Sequence, residues 1–171
     1  MKRVPGYLND YLDELRRAGD VVFKSRHRSP VLIVVGKAAD LSDQPSEMDR
    51  TMVAVPPAPG AQTVALLNRV FPVTKAAHTP RGPICLGRSG DNDVAIPEYS
   101  ISKRQCFFDF DAEGVKITDC GSTNGTVVGD QPIAPAEPIL IRDGARISLG
   151  RFAFEFRTAA GFHARVKSLL R

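Results

Sequence analysis

The amino-acid sequence predicts a mainly β protein: a β-sandwich preceded by a small α/β accessory region and followed by a C-terminal helix. Three observations predict it. From residue 63 to 157, short apolar runs follow one another with turn residues between them, the pattern of an all-β sandwich. Within that stretch Phe152, Phe154 and Phe156 alternate, which places every second side chain on one face of a strand. Helical spacing of apolar residues is confined to the two ends of the chain.

Taken in order, Leu8, Tyr11, Leu12 and Leu15 predict a helix over 7–18, with Gly19 where a C-terminal cap belongs. The run Val31-Leu32-Ile33-Val34-Val35, bounded by Pro30 and Gly36, predicts a buried strand. Residues 40–47 read as a polar loop and Thr51–Val55 as a second strand. Pro56-Pro57-Ala58-Pro59-Gly60 favours an extended chain and removes backbone donors, so the boundary between an accessory region, 1–60, and the main domain, 63–157, is placed there. Strands are expected at Val64–Leu67, Ile84–Leu86, Val94–Ile96, Cys106–Phe110, Val115–Ile117, Thr126–Val128, Ile139–Ile141, Arg146–Leu149 and Phe152–Phe156. Asp111–Gly114 forms a hairpin loop in this reading. Phe162, Val166, Leu169 and Leu170 predict a helix within 158–171, with Thr158 as its N-cap.

Composition narrows the function. Of 171 residues, 43% are hydrophobic, which excludes a compositionally disordered chain. Lys and Arg number 23 against 19 Asp and Glu, a modest excess that suits an acidic partner such as a phosphate without indicating DNA. The most basic run, Lys24-Ser25-Arg26-His27-Arg28, reads as a solvated turn before a strand, so nucleic acid is not expected as a partner. Cys85, Cys106 and Cys120 are odd in number and widely spaced, which gives neither a disulfide framework nor a metal knuckle. With no apolar run of signal-peptide or membrane-span length, a cytoplasmic location is expected. P-loop, HExxH and GxSxG motifs are missing, and His27, His78 and His163 lie far apart. The reading is a protein with no catalytic residue, no metal site and no cofactor.

Three segments carry a more specific signal. Leu86-Gly87-Arg88 is followed after a loop by Asn92-Asp93-Val94; then comes Ile101-Ser102-Lys103-Arg104-Gln105-Cys106; then Asp119-Cys120-Gly121-Ser122-Thr123-Asn124-Gly125-Thr126. Asp143-Gly144-Ala145-Arg146-Ile147 and Leu149-Gly150 complete the series. In this order, within an all-β pattern, they resemble the forkhead-associated (FHA) domain family, in the form found in small bacterial FHA-containing proteins.

The resemblance implies an FHA-like two-sheet β-sandwich whose loops at one end bind phosphothreonine peptides. Carried over position by position, Arg88 contacts the phosphate, where a guanidinium fork makes charge-assisted hydrogen bonds. Ser102 donates its hydroxyl to the phosphate, Lys103 supplies a second cation, and Thr123 a second hydroxyl. Asn124 grips the peptide backbone, since its amide both donates and accepts. Gly87, Gln105, Ser122 and Gly125 support the loops. Gln105 stands where the family has His, and its extra rotor predicts a less well held loop and a weaker or more selective reader. Ala145, in place of an Asp, and Gly129-Asp130, near a second Asn-Gly turn, are scaffold variation. The loops Ser89–Asp91 and Val127–Ile133 are expected to choose among sequences flanking the phosphothreonine.

The function so implied is a phosphothreonine-dependent adaptor whose partner is a Ser/Thr protein kinase or its substrate. The alternative is a phospho-independent interaction module built on the same sandwich.

Overall fold

A computed structural model describes residues 6–38 and 66–171. The expected loop at 40–47, the strand at Thr51–Val55 and the boundary at 56–60 lie outside the described residues.

Among the described residues, twelve strands and two helices follow in the order β1 (Gly6–Tyr7), α1 (Leu8–Arg26), β2 (Val31–Lys37), β3 (Arg69–Pro72), β4 (Ile84–Gly87), β5 (Val94–Ala95), β6 (Cys106–Asp111), β7 (Gly114–Asp119), β8 (Thr126–Val128), β9 (Gln131–Pro132), β10 (Ile139–Ile141), β11 (Arg146–Leu149), β12 (Phe152–Arg157) and α2 (Ala159–Ser168). They form two sheets. One runs β1-β3-β2-β12-β11-β8-β9 and the other β10-β7-β6-β4-β5. The expected mainly β, two-sheet sandwich with a helix near each end is the observed fold.

Apolar side chains from both sheets interdigitate in the core, among them Leu32, Phe71, Leu86, Phe108, Ile117, Ile147, Phe154 and Phe156. A second apolar cluster lies on the outer face of the larger sheet. There Val31, Ile33 and Val70 meet Leu8, Tyr11, Leu15 and Phe23 of α1 and Phe162 and Val166 of α2. The strand β2 is therefore covered on both faces. That explains its unbroken Val-Leu-Ile-Val-Val run, where a half-exposed strand would alternate.

Three expectations change at this level. Val31–Lys37, expected in an accessory region, pairs with β12 from Val31↔Arg157 to Lys37↔Phe152 and with β3 on its other side. The larger sheet thus draws on chain from both sides of residues 56–60, because a fully apolar strand is most stable at a sheet's centre. The helix expected to stop at Gly19 breaks there, at φ 79°, and then continues to Arg26, bringing Phe23 into the outer cluster. Leu66 and Leu67, expected in a strand, lie in a turn ahead of β3. Asn68 adopts φ 63° and Arg69 N–H donates to Leu66 O at 2.8 Å, while the Leu66 side chain still drops into the core.

Local chemistry sets the remaining turns. Asp111 Oδ1 accepts from Glu113 N–H at 2.8 Å and Gly114 N–H at 3.2 Å, closing the expected β6–β7 hairpin. Thr158 caps α2 as expected, accepting from Gly161 N–H at 3.1 Å.

Candidate functional site

Three loops meet at one end of the sandwich: 88–93 after β4, 96–105 between β5 and β6, and 120–125 between β7 and β8. Backbone hydrogen bonds tie the first two together. Arg88 N–H donates to Ser102 O at 2.9 Å and Ser89 N–H to Lys103 O at 3.4 Å. The third joins through Ser102 Oγ, which accepts from Thr123 N–H at 2.9 Å. All five phosphate- or peptide-facing residues expected from the sequence, Arg88, Ser102, Lys103, Thr123 and Asn124, are brought to this junction.

Their side chains are poised differently. Arg88 is exposed, and its Nε donates to Ile101 O at 3.1 Å, which tethers the guanidinium to the 96–105 loop. Lys103 is exposed as well, and neither cation has an ion-pair partner among the described residues. Their neighbour Arg104 instead stands 3.7 Å from Asp91. Because Ser102 Oγ already accepts a hydrogen bond, its hydroxyl proton is the part left to donate outward. The Thr123 side chain is exposed. Asn124 Nδ2 donates to Ser100 O at 2.9 Å, while its Oδ1 is buried with no partner among the described residues. An unpaired buried acceptor costs free energy, a cost that a donor on a ligand would remove.

Beneath these groups lies a buried polar scaffold. Gln105 is 0% exposed, and its amide is fully used. Its Oε1 accepts from Ser102 N–H at 3.0 Å, and its Nε2 donates to Gly125 O at 2.8 Å and Thr126 Oγ1 at 3.1 Å. The expectation of a loosely held loop is corrected here: burial freezes the additional rotor, and one side chain links two of the three loops. Asp119, buried, accepts from Gly121 N–H, Ser122 N–H, Ser122 Oγ and Thr126 Oγ1, all within 2.9 Å. Ser122 thus acts on the loop from below. Gly125 adopts φ 77°, the left-handed turn that presents Asn124. Gly87 serves a close approach: a Cβ there would lie 2.2 Å from Lys103 O.

Sequence reasoning gave no role to Asn92, Asp93 or Asp119. Asn92 is buried, and its Nδ2 donates to Ser89 O at 2.8 Å and Lys103 O at 2.7 Å, clamping the two cation-bearing loops. Asp93 accepts from Ala76 N–H and Cys85 N–H, both at 2.8 Å, from Lys75 Nζ at 2.9 Å, and from Thr79 Oγ1. Burial acts to raise its pKa, but these hydrogen bonds outweigh it and hold the carboxyl below its ordinary range. An Asx-turn pattern, Asp119-x-x-Ser122, was the available signal for Asp119. The thiols take no visible part: burial pushes Cys106 well above its usual pKa and Cys120 upward too. Among the described residues, no group of three or more His, Cys, Asp or Glu could hold a metal, and no helix is long and apolar enough to cross a membrane.

The chain thus forms a two-sheet β-sandwich with polar loops converging at one end. Residues 84–150 match the family model of the FHA domain. Among curated relatives, the mouse angiogenic factor with G patch and FHA domains 1 is 31% identical over 91 residues, covering 48% of this chain and 13% of that protein. The glycogen accumulation regulator GarA of Mycolicibacterium smegmatis is 29% identical over 72 residues, covering 42% of this chain and 44% of that protein. The chain thus spans less than half the length of these relatives. A solved FHA domain from an Arabidopsis thaliana protein superposes with a TM-score of 0.49 at 19% identity, covering 77% of this chain and 86% of that one.

Proposed function

We propose that this protein is a phosphothreonine-dependent adaptor that binds phosphorylated peptide segments in Ser/Thr kinase signalling. The observation that carries the reading is that backbone hydrogen bonds join the loops bearing Arg88, Ser102 and Lys103, with both cations exposed and without ion-pair partners among the described residues. A phosphothreonine brings about −1.5 to −2 charge, which two cations and oriented donors compensate on desolvation. The unpaired Asn124 Oδ1 supports the same reading, as an acceptor for a peptide N–H. Its partner is then a phosphothreonine-containing protein, a kinase or a kinase substrate. A cytoplasmic location goes with it, supported by three cysteines that stay free thiols.

Titration calorimetry with a phosphothreonine peptide library tests it. Wild type binds the phosphorylated peptides, and Arg88→Ala weakens them roughly 10- to 100-fold, the worth of charge-assisted hydrogen bonds. Equal binding by both proteins, or of unphosphorylated peptides, would favour a phospho-independent interaction module.

A further inference from the structure

A cleft of about 790 Å³ opens between the end of α1, the segment after β3, and strand β5. None of Arg88, Ser102, Lys103, Thr123 or Asn124 lines it. Phe71, Val94 and Ala95 contribute an apolar floor, while Arg26, Arg28, Lys75 and His78 line the same space. The carboxylate in the lining belongs to Asp93, whose side chain is 0% exposed and already accepts from Lys75, Ala76, Thr79 and Cys85. Arg26 pairs with Glu14 at 3.0 Å, whereas Arg28 is exposed with no ion-pair partner among the described residues. The C-terminal end of α1 adds a partial negative charge, which Arg26 and Arg28 outweigh.

The backbone beside this cleft is also open. Among the described residues, strand β5 lies at the edge of its sheet and pairs only with β4, in parallel. Ile96 N–H donates to Gly87 O at 2.9 Å, so alternation along the ladder turns the N–H and C=O of Ala95 away from β4. An extended chain laid there gains main-chain hydrogen bonds from the edge, and its side chains meet the cleft.

We propose that this cleft is a second binding site, which takes a short acidic segment of a partner protein in extended conformation along β5. Its carboxylates meet Arg28 and the Lys75–His78 side, and its alternate apolar side chains cover Phe71 and Val94. A small inorganic anion satisfies the charge but leaves the apolar floor and the Ala95 backbone unused. The site is independent of phosphothreonine recognition and stands whether or not Arg88 binds phosphate.

The probe is a blocked, unphosphorylated hexapeptide of alternating Glu and Val, with its Lys and Val counterpart as control. Amide NMR spectra of the full chain are recorded at low and high salt. Expected are shifts at Arg28, Ala76 and Ala95 that weaken with salt and persist in Arg88→Ala. Arg28→Glu and, separately, His78→Glu weaken binding at least tenfold while leaving phosphopeptide binding and the melting temperature unchanged. Failure to shift those amides, equal binding of the Lys peptide, or shifts confined to residues 88–104 and 120–125 overturns the proposal. Displacement of the peptide by equimolar inorganic phosphate overturns it too, and marks a small-anion site.

Discussion

The loop end and the helix-covered flank of this molecule hold their residues in place by opposite means. At the loop end, buried polar side chains do it: Gln105, Asn92 and Asp119 together engage backbone or side-chain groups of all three loops. On the flank, rings do it. Phe162 packs edge-on against Tyr11 at 5.1 Å and lies 5.8 Å from Phe23, with His27 beside them. Hydrogen bonds are directional, so they can fix three irregular loops to a given geometry; apolar contact is not, but it stabilises more per residue. The consequence is a molecule in which the packing of the flank and the geometry of the loop end rest on separable sets of side chains.

The most severe way to break the separation is at the flank. Phe162→Ala removes a fully buried ring and costs about 3–5 kcal/mol in urea unfolding. Phosphopeptide affinity of the protein that remains folded should be unchanged; a parallel fall would join the two regions. Gln105→Ala sits between the sets. It leaves Ser102 N–H and Gly125 O unpaired and should cost about 2–3 kcal/mol of stability together with affinity. Loss of affinity alone would mean that the scaffold matters only to the ligand.

Acid should act next. The Asp93 carboxyl titrates below the ordinary carboxylate range when folded, so its contribution is complete near neutral pH and disappears as pH falls through that depressed value. Asp93→Asn should therefore melt below wild type at pH 7, with the gap closing toward pH 2. A constant gap across that range would show that the carboxylate charge plays no part. The smallest effect belongs to the exposed rim. Thr123→Val should weaken phosphopeptide binding about fivefold, near 1 kcal/mol, and leave unfolding unchanged.

Much of the fold was legible because β-strands and short turns leave local marks. The alternation of Phe152, Phe154 and Phe156 and the Asp111–Gly114 hairpin are local, and both appear where expected. The turn holding Leu66 and Leu67 was misread, since an apolar residue can reach the core without strand geometry. At the site, the resemblance to the FHA family pointed to Arg88, Ser102, Lys103, Thr123 and Asn124, but the clamp by Asn92 joins positions 11 residues apart and could not be read from spacing.

By itself the sequence determined which residue types stand at the loops, where strands alternate, and where turns must fall. Those are properties of neighbouring residues along the chain. Tertiary structure alone decided that Val31–Lys37 enters the main sheet and that Gln105 is locked rather than loose. It also decided that β5 borders a cleft lined by Arg26, Arg28, Lys75 and His78 as well as Asp93. These depend on burial and on partners distant in sequence, and a side chain's freedom or charge is set by what the folded chain packs around it.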